Sequence, residues 1–194
     1  MTTESGVTVF VVDIDKLPTN FPTHRHDGAF WEALGRAVAT FGFLEEVLGK
    51  AIFAFTATRA IPRDQIDAEY KKWHPTLQRA LEDPLGGLIE SYSNAAAKHQ
   101  SAPPYLEDLV KKLREAAVWR NAVCHGSWRT PDEQGRSLPL YVDKKRGVFE
   151  TSIDIAALKQ LQQHSSELAC TVVNTVTQMG YRFPGAAGPG KDIW

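Results

Sequence analysis

From Phe30 to about Thr58 the apolar residues Leu34, Val38, Phe41, Leu48, Ile52 and Phe55 recur at three- and four-residue steps, and no other feature narrows the fold as much. That period puts the side chains on one face of a long amphipathic helix. Phe43, Leu44, Val47 and Phe53 widen the apolar surface, so the helix is expected to be buried on more than one side.

The remaining segments read as its packing partners. Asp27 is a good N-cap for the long helix. Pro62 ends its pattern, and Asp64 is expected to cap a second helix running to about Leu81. Asp83-Pro84 opens a third, carrying Leu85, Leu88, Ile89 and Tyr92 and fading near Lys98. After the loop from Gln100 to Pro104, a fourth runs through Leu106, Leu109, Val110, Leu113, Ala116, Ala117, Arg120 and Val123, with Gly126 where a C′ glycine would end it. Leu138–Val142 and Val148–Thr151 flank Asp143-Lys144-Lys145-Arg146-Gly147 as a β-hairpin. Asp154 caps a last helix, from about Ile155 to Met179. Residues 1–26 read as an irregular leader whose Val7–Val12 stretch suits an edge strand, and residues 184–194 as a flexible tail. The expected fold is all-α: an up-and-down bundle of four to five helices over residues 27–183, with a small β-hairpin before the last helix.

Two of these helices carry a charge where a hydrophobic residue belongs. On the fourth, the inward stripe steps through Leu113 and Ala117 and then meets Arg120; on the first, Phe41 is followed by Glu45 and only then by Leu48. A charge on a core-facing stripe is costly unless it is paired or faces a wet cleft. If the two helices pack antiparallel, Glu45 and Arg120 meet. Taken alone, that meeting describes a structural salt bridge as well as a site.

His125 adds chemistry. It ends the fourth helix, where free carbonyls favour a protonated ring, and Arg120 is close enough along the helix to reach the same cleft. Asn121 contributes an amide beside them. An imidazole can move a proton on or off a 2′-hydroxyl or a leaving oxygen, and a guanidinium can neutralise phosphate oxygens bidentately. This set suits phosphodiester transesterification without a metal or other cofactor.

The stretch Arg120-Asn121-Ala122-Val123-Cys124-His125 resembles the R-x4-6-H motif of the HEPN superfamily, helical domains found in many prokaryotic toxins and antiviral ribonucleases. The resemblance spans residues 27 to 180. It implies a four-helix bundle, a homodimer that brings two motifs together, and metal-independent RNA cleavage leaving a cyclic phosphate. Arg120, Asn121 and His125 take the motif positions, and Glu45 is the candidate for the acidic residue contributed by another helix. It also implies a toxin or defence role, with an antitoxin or regulatory protein as a further partner. Ser127 stands where nucleotidyltransferase-linked members carry a tyrosine, so control by modification there is not supported. The alternative is a non-catalytic helical module that binds RNA, a nucleotide or a partner protein. A solvent-filled cleft at a two-fold interface favours cleavage, and a sealed Glu45–Arg120 pair in a dry core favours structure.

The bulk numbers limit how RNA is held. The formal net charge is −1, so nucleic-acid contact must be local rather than a whole-surface attraction. Trp128 for base stacking, and Arg129, Lys144, Lys145 and Arg146 for phosphates, are the candidate RNA contacts. Cys124 continues an apolar stripe and reads as packing rather than as a nucleophile. His24 and His26 lack a third ligand nearby, so no metal site is expected. No segment has the length of a membrane span, and two cysteines without a ligand or disulfide pattern fit a reducing compartment, with the cytoplasm expected.

Overall fold

Asp27 Oδ1 accepts the Phe30 amide at 2.8 Å, and the helix begun there, α1 (Gly28–Ala57), touches every other long helix. The computed structural model describes residues 10–57, 61–99, 101–143 and 147–185. Among these, α2 (Ile66–Glu82), α3 (Leu85–Ala96), α4 (Leu106–His125) and α5 (Ile155–Gln178) complete a set of five α-helices. Phe41, Leu44, Leu48 and Ile52 of α1 are sealed against Ile89 and Tyr92 of α3, Leu113 of α4, and Leu158 and Val172 of α5, in one hydrophobic core. Asp154 caps α5, its Oδ1 accepting the Ala157 amide at 2.7 Å. A side-chain acceptor at each start satisfies an amide that the helix itself cannot.

The segment between α4 and α5 is built differently from a single hairpin. Strand β1 (Ser127–Trp128) pairs antiparallel with β2 (Pro139–Leu140), and β3 (Val142–Asp143) with β4 (Gly147–Val148). The expected first strand of the hairpin is thus divided, its first half turning back to the end of α4. Ser137 and Ile153 bridge the base of this region, exchanging both backbone hydrogen bonds at 2.8 Å.

Several expectations need correction. Val38, on the expected inward stripe of α1, is 37% exposed, and Phe43 and Phe53 are exposed rather than widening the buried face. The partners of α1 cover only part of its circumference. Helix α2 contains no buried residue and leaves Ile66, Tyr70 and Leu81 exposed. Residues 10–12 form no strand, and 7–9 lie outside the described residues, as do Lys144, Lys145, Arg146 and 186–194. Gly126 is not a left-handed C′ glycine: its φ is −70° and ψ 138°. Glycine is required there because an added Cβ would lie 2.5 Å from both the Ala122 carbonyl oxygen and Pro139 Cβ. No helix among the described residues is long and apolar enough to cross a membrane.

Candidate active site

Helix α4 runs against α1 in the opposite sense, so that Trp128, just past α4, meets Phe30 at the start of α1, and Arg120 meets Glu45 further along. The guanidinium of Arg120 is the hub. Its Nη2 lies 3.2 Å from Glu45 Oε1, and its Nη1 lies 3.3 Å from Asn121 Oδ1 and 3.1 Å from His125 Nε2. All four residues of the expected constellation therefore come together.

The quality of these contacts decides what they can do. Glu45 Oε1 is a buried atom without a hydrogen bond of proper angle, although it is within ion-pair distance of Arg120. The pair is thus a Coulombic contact rather than a bidentate clamp, and Arg120 keeps donor capacity that no carboxylate takes up. The two side chains retain 20% and 26% exposure, and His125 is exposed, so the site opens to solvent. Arginine can only donate, so the Nη1–Nε2 contact makes Nε2 the acceptor. The Nε2 lone pair is the one a general base uses.

Cys124 lies beside this hub. Burial pushes its thiol up, and Arg120's opposing charge does not offset it, so it is not prepared as a nucleophile. Among the described residues no three His, Cys, Asp or Glu side chains come together in a set that would hold a metal.

The candidate RNA contacts divide. Trp128 is half-buried and packs edge-on against Phe30, ring centroids 5.0 Å apart, so much of its surface is spent on the core. Arg129 is exposed directly beyond the site, its backbone held by Leu138 and Ser137. Lys144, Lys145 and Arg146 are outside the described residues.

A regular spacing of glycines marks one face of α1. Gly28, Gly35, Gly42 and Gly49 recur every seven residues along α1. Among the described residues an added Cβ at Gly35 or Gly42 meets nothing within 4 Å, whereas at Gly49 it would meet the Ala80 carbonyl oxygen of α2 at 2.9 Å. A smooth, uncovered strip of α1 therefore leads up to Glu45 and the Arg120 hub.

No family model matches the chain, and no curated protein or solved structure shows significant similarity to it. What the site does rests on its own geometry.

Proposed function

We propose that this chain is a metal-independent endoribonuclease of HEPN type, folded as a helical bundle and acting in the cytoplasm as a toxin or defence ribonuclease. The observation that carries the reading is the solvent-open hub in which Arg120 is shared between Glu45 and His125 Nε2. In the reaction the 2′-oxygen of the RNA forms a bond to phosphorus, and the bond to the 5′-oxygen breaks, leaving a 2′,3′-cyclic phosphate. His125 takes the 2′-hydroxyl proton, for which the substrate hydroxyl displaces Arg120 from Nε2. Arg120 then turns to the phosphate and neutralises its oxygens as charge builds up in the transition state. Asn121 and Glu45 hold the guanidinium in place.

The leaving 5′-oxygen needs a proton, and a second copy of the chain supplies it from its own His125, which in that copy is turned away from Arg120 and carries the proton. Support for a homodimer comes from α1. Glycine inside a helix costs roughly 0.5–1 kcal/mol relative to alanine, and Gly35 and Gly42 obtain nothing for it from the described residues of the protomer. Val38 between them is exposed as well. Close approach of another α1 along this strip gives those glycines a purpose and brings two hubs toward one cleft. An antitoxin or regulatory protein would act by covering the same face.

The test is cleavage of RNA in the presence of a chelator by wild type, Arg120→Ala and His125→Ala. Loss of one general acid–base group is expected to slow cleavage by about 10²–10⁴. Equal rates in all three proteins would remove the cleavage claim. The buried Glu45 Oε1 favours a second reading, a structural ion pair in a non-catalytic module binding RNA, a nucleotide or a protein. In that case Arg120→Ala loses stability while no RNA is cut by any of the proteins.

A further inference from the structure

Away from the Arg120 hub, a cleft of about 550 Å³ opens between the end of α1 and the helices α2 and α3. Its lining includes Lys72 and Arg79 from α2, and Lys98 and His99 just past α3, and among the described residues no aspartate or glutamate. A lining with four basic side chains stands out in a chain whose net charge is −1. Of the cleft's cations, Lys72 is paired, with Glu69 at 2.7 Å. Among the described residues Arg79 reaches only the Pro75 carbonyl of its own helix, at 3.3 Å, and Lys98 makes no ion pair.

The neutral part of the lining is also uncommitted. Thr76, Ser91 and Asn94 border the cleft, and among the described residues their side chains make no hydrogen bond. His99 Nδ1 is engaged by the Tyr181 hydroxyl at 2.8 Å, which leaves Nε2 as its second polar atom. The floor is apolar and firm: Ile52 and Phe55 are core residues, and Trp73 is fastened by its indole N–H to Thr56 Oγ1 at 2.9 Å. A concave site with an apolar base and a few convergent polar groups is the usual form of a small-molecule pocket. When the polar groups are lysine, arginine, hydroxyl and amide without a carboxylate, the matching ligand group is a phosphate.

We infer that the α1–α2–α3 cleft binds the phosphate group of a small phosphorylated molecule, held by Arg79 and Lys98 with Lys72 at the rim. This site stands whether or not the Arg120 hub cleaves RNA, because the two share no residue. Seated between α2 and α1, such a ligand would also tie down a helix that has no buried residue of its own.

The probes are sodium pyrophosphate, glucose 6-phosphate and AMP, each titrated at low ionic strength with thermal unfolding and the fluorescence of the tryptophans as readouts. Wild type is expected to bind at least one of them saturably and to unfold at a higher temperature when it is present. Binding of all three assigns the site to phosphate alone, and binding of AMP only assigns it to a phosphate attached to a planar ring. Lys98→Gln, Arg79→Gln and the double variant should bind about 10-fold or more weakly, as loss of a charge-assisted contact implies. Both cations serve no core contact, and Lys98→Gln is the milder change should the double variant unfold. Arg120→Ala should bind as wild type does. The inference is overturned if no probe binds wild type, or if binding is unchanged in the Arg79 and Lys98 variants. It is equally overturned if binding disappears with Arg120→Ala.

Discussion

At Gly126 two chain segments approach within the space of a methyl group. An alanine there would press on the Ala122 carbonyl and on Pro139, both backbone-anchored. Either β2 moves away or the end of α4 unwinds, and His125 sits in that last turn. Gly126→Ala is expected to lower stability by about 1–3 kcal/mol, the usual consequence of overpacking. Urea denaturation measures it, and an unchanged midpoint would mean that β2 yields freely. Tyr92 shows the opposite situation, a hydroxyl sealed in the core beside Thr175 without a hydrogen bond of its own. Burial pushes its pKa up to about 12, so it packs as a neutral ring.

Helix α1 presents two kinds of glycine, and they should respond oppositely to the same substitution. At Gly42 nothing obstructs a methyl group, so Gly42→Ala is expected to stabilise the protomer by about 0.5–1 kcal/mol through the lost freedom of the unfolded chain. At Gly49 the Ala80 carbonyl oxygen of α2 stands 2.9 Å from the new Cβ, and Gly49→Ala should destabilise. Chemical denaturation at high dilution compares the two, and shifts of the same sign would contradict the close α1–α2 approach. The bulkier Gly42→Trp should reduce self-association, as followed by sedimentation, if α1 is the dimer seam.

Across the whole molecule, His26 links stability to pH. Its Nε2 is buried without a partner, and its ring stacks on Phe30 with centroids 4.3 Å apart. Burial pulls its pKa below the ordinary 6.5, with the Asp27 carboxylate opposing that shift. Above 6.5 the residue is neutral in both states and contributes no pH dependence. As pH falls through and below that value, the unfolded chain takes up a proton that the folded chain resists, so folding is penalised. Wild type is therefore expected to lose more stability than His26→Phe between about pH 7.5 and about pH 5. Thermal melts of both proteins check this, and parallel losses would show that His26 does not contribute.

The helices and the caps at Asp27 and Asp154 were legible from local information alone, whereas Asp64, expected to cap α2, lies in a 3-10 turn before it, and Gln65 stands at that N-cap without a side-chain bond. A three-to-four-residue period with Asp27 or Asp154 before it specifies a helix start wherever the chain lies, because the capping bond and the apolar stripe are both short-range. The same period exposed Arg120 and Glu45 as interruptions, and their sequence separation carried no information about distance. Only packing could bring them to 3.2 Å, and only packing could determine that the ion pair stays open to solvent with His125 beside it. Packing also decided which apolar residues of α1 were covered. Val38, Phe43 and Phe53 are hydrophobic like their buried neighbours, and their exposure follows from which sides of α1 the other helices cover, not from their own chemistry. The division of the hairpin has the same origin: two-residue strands carry too little side-chain pattern to choose a partner, and the proximity of β2 to the end of α4 chose it.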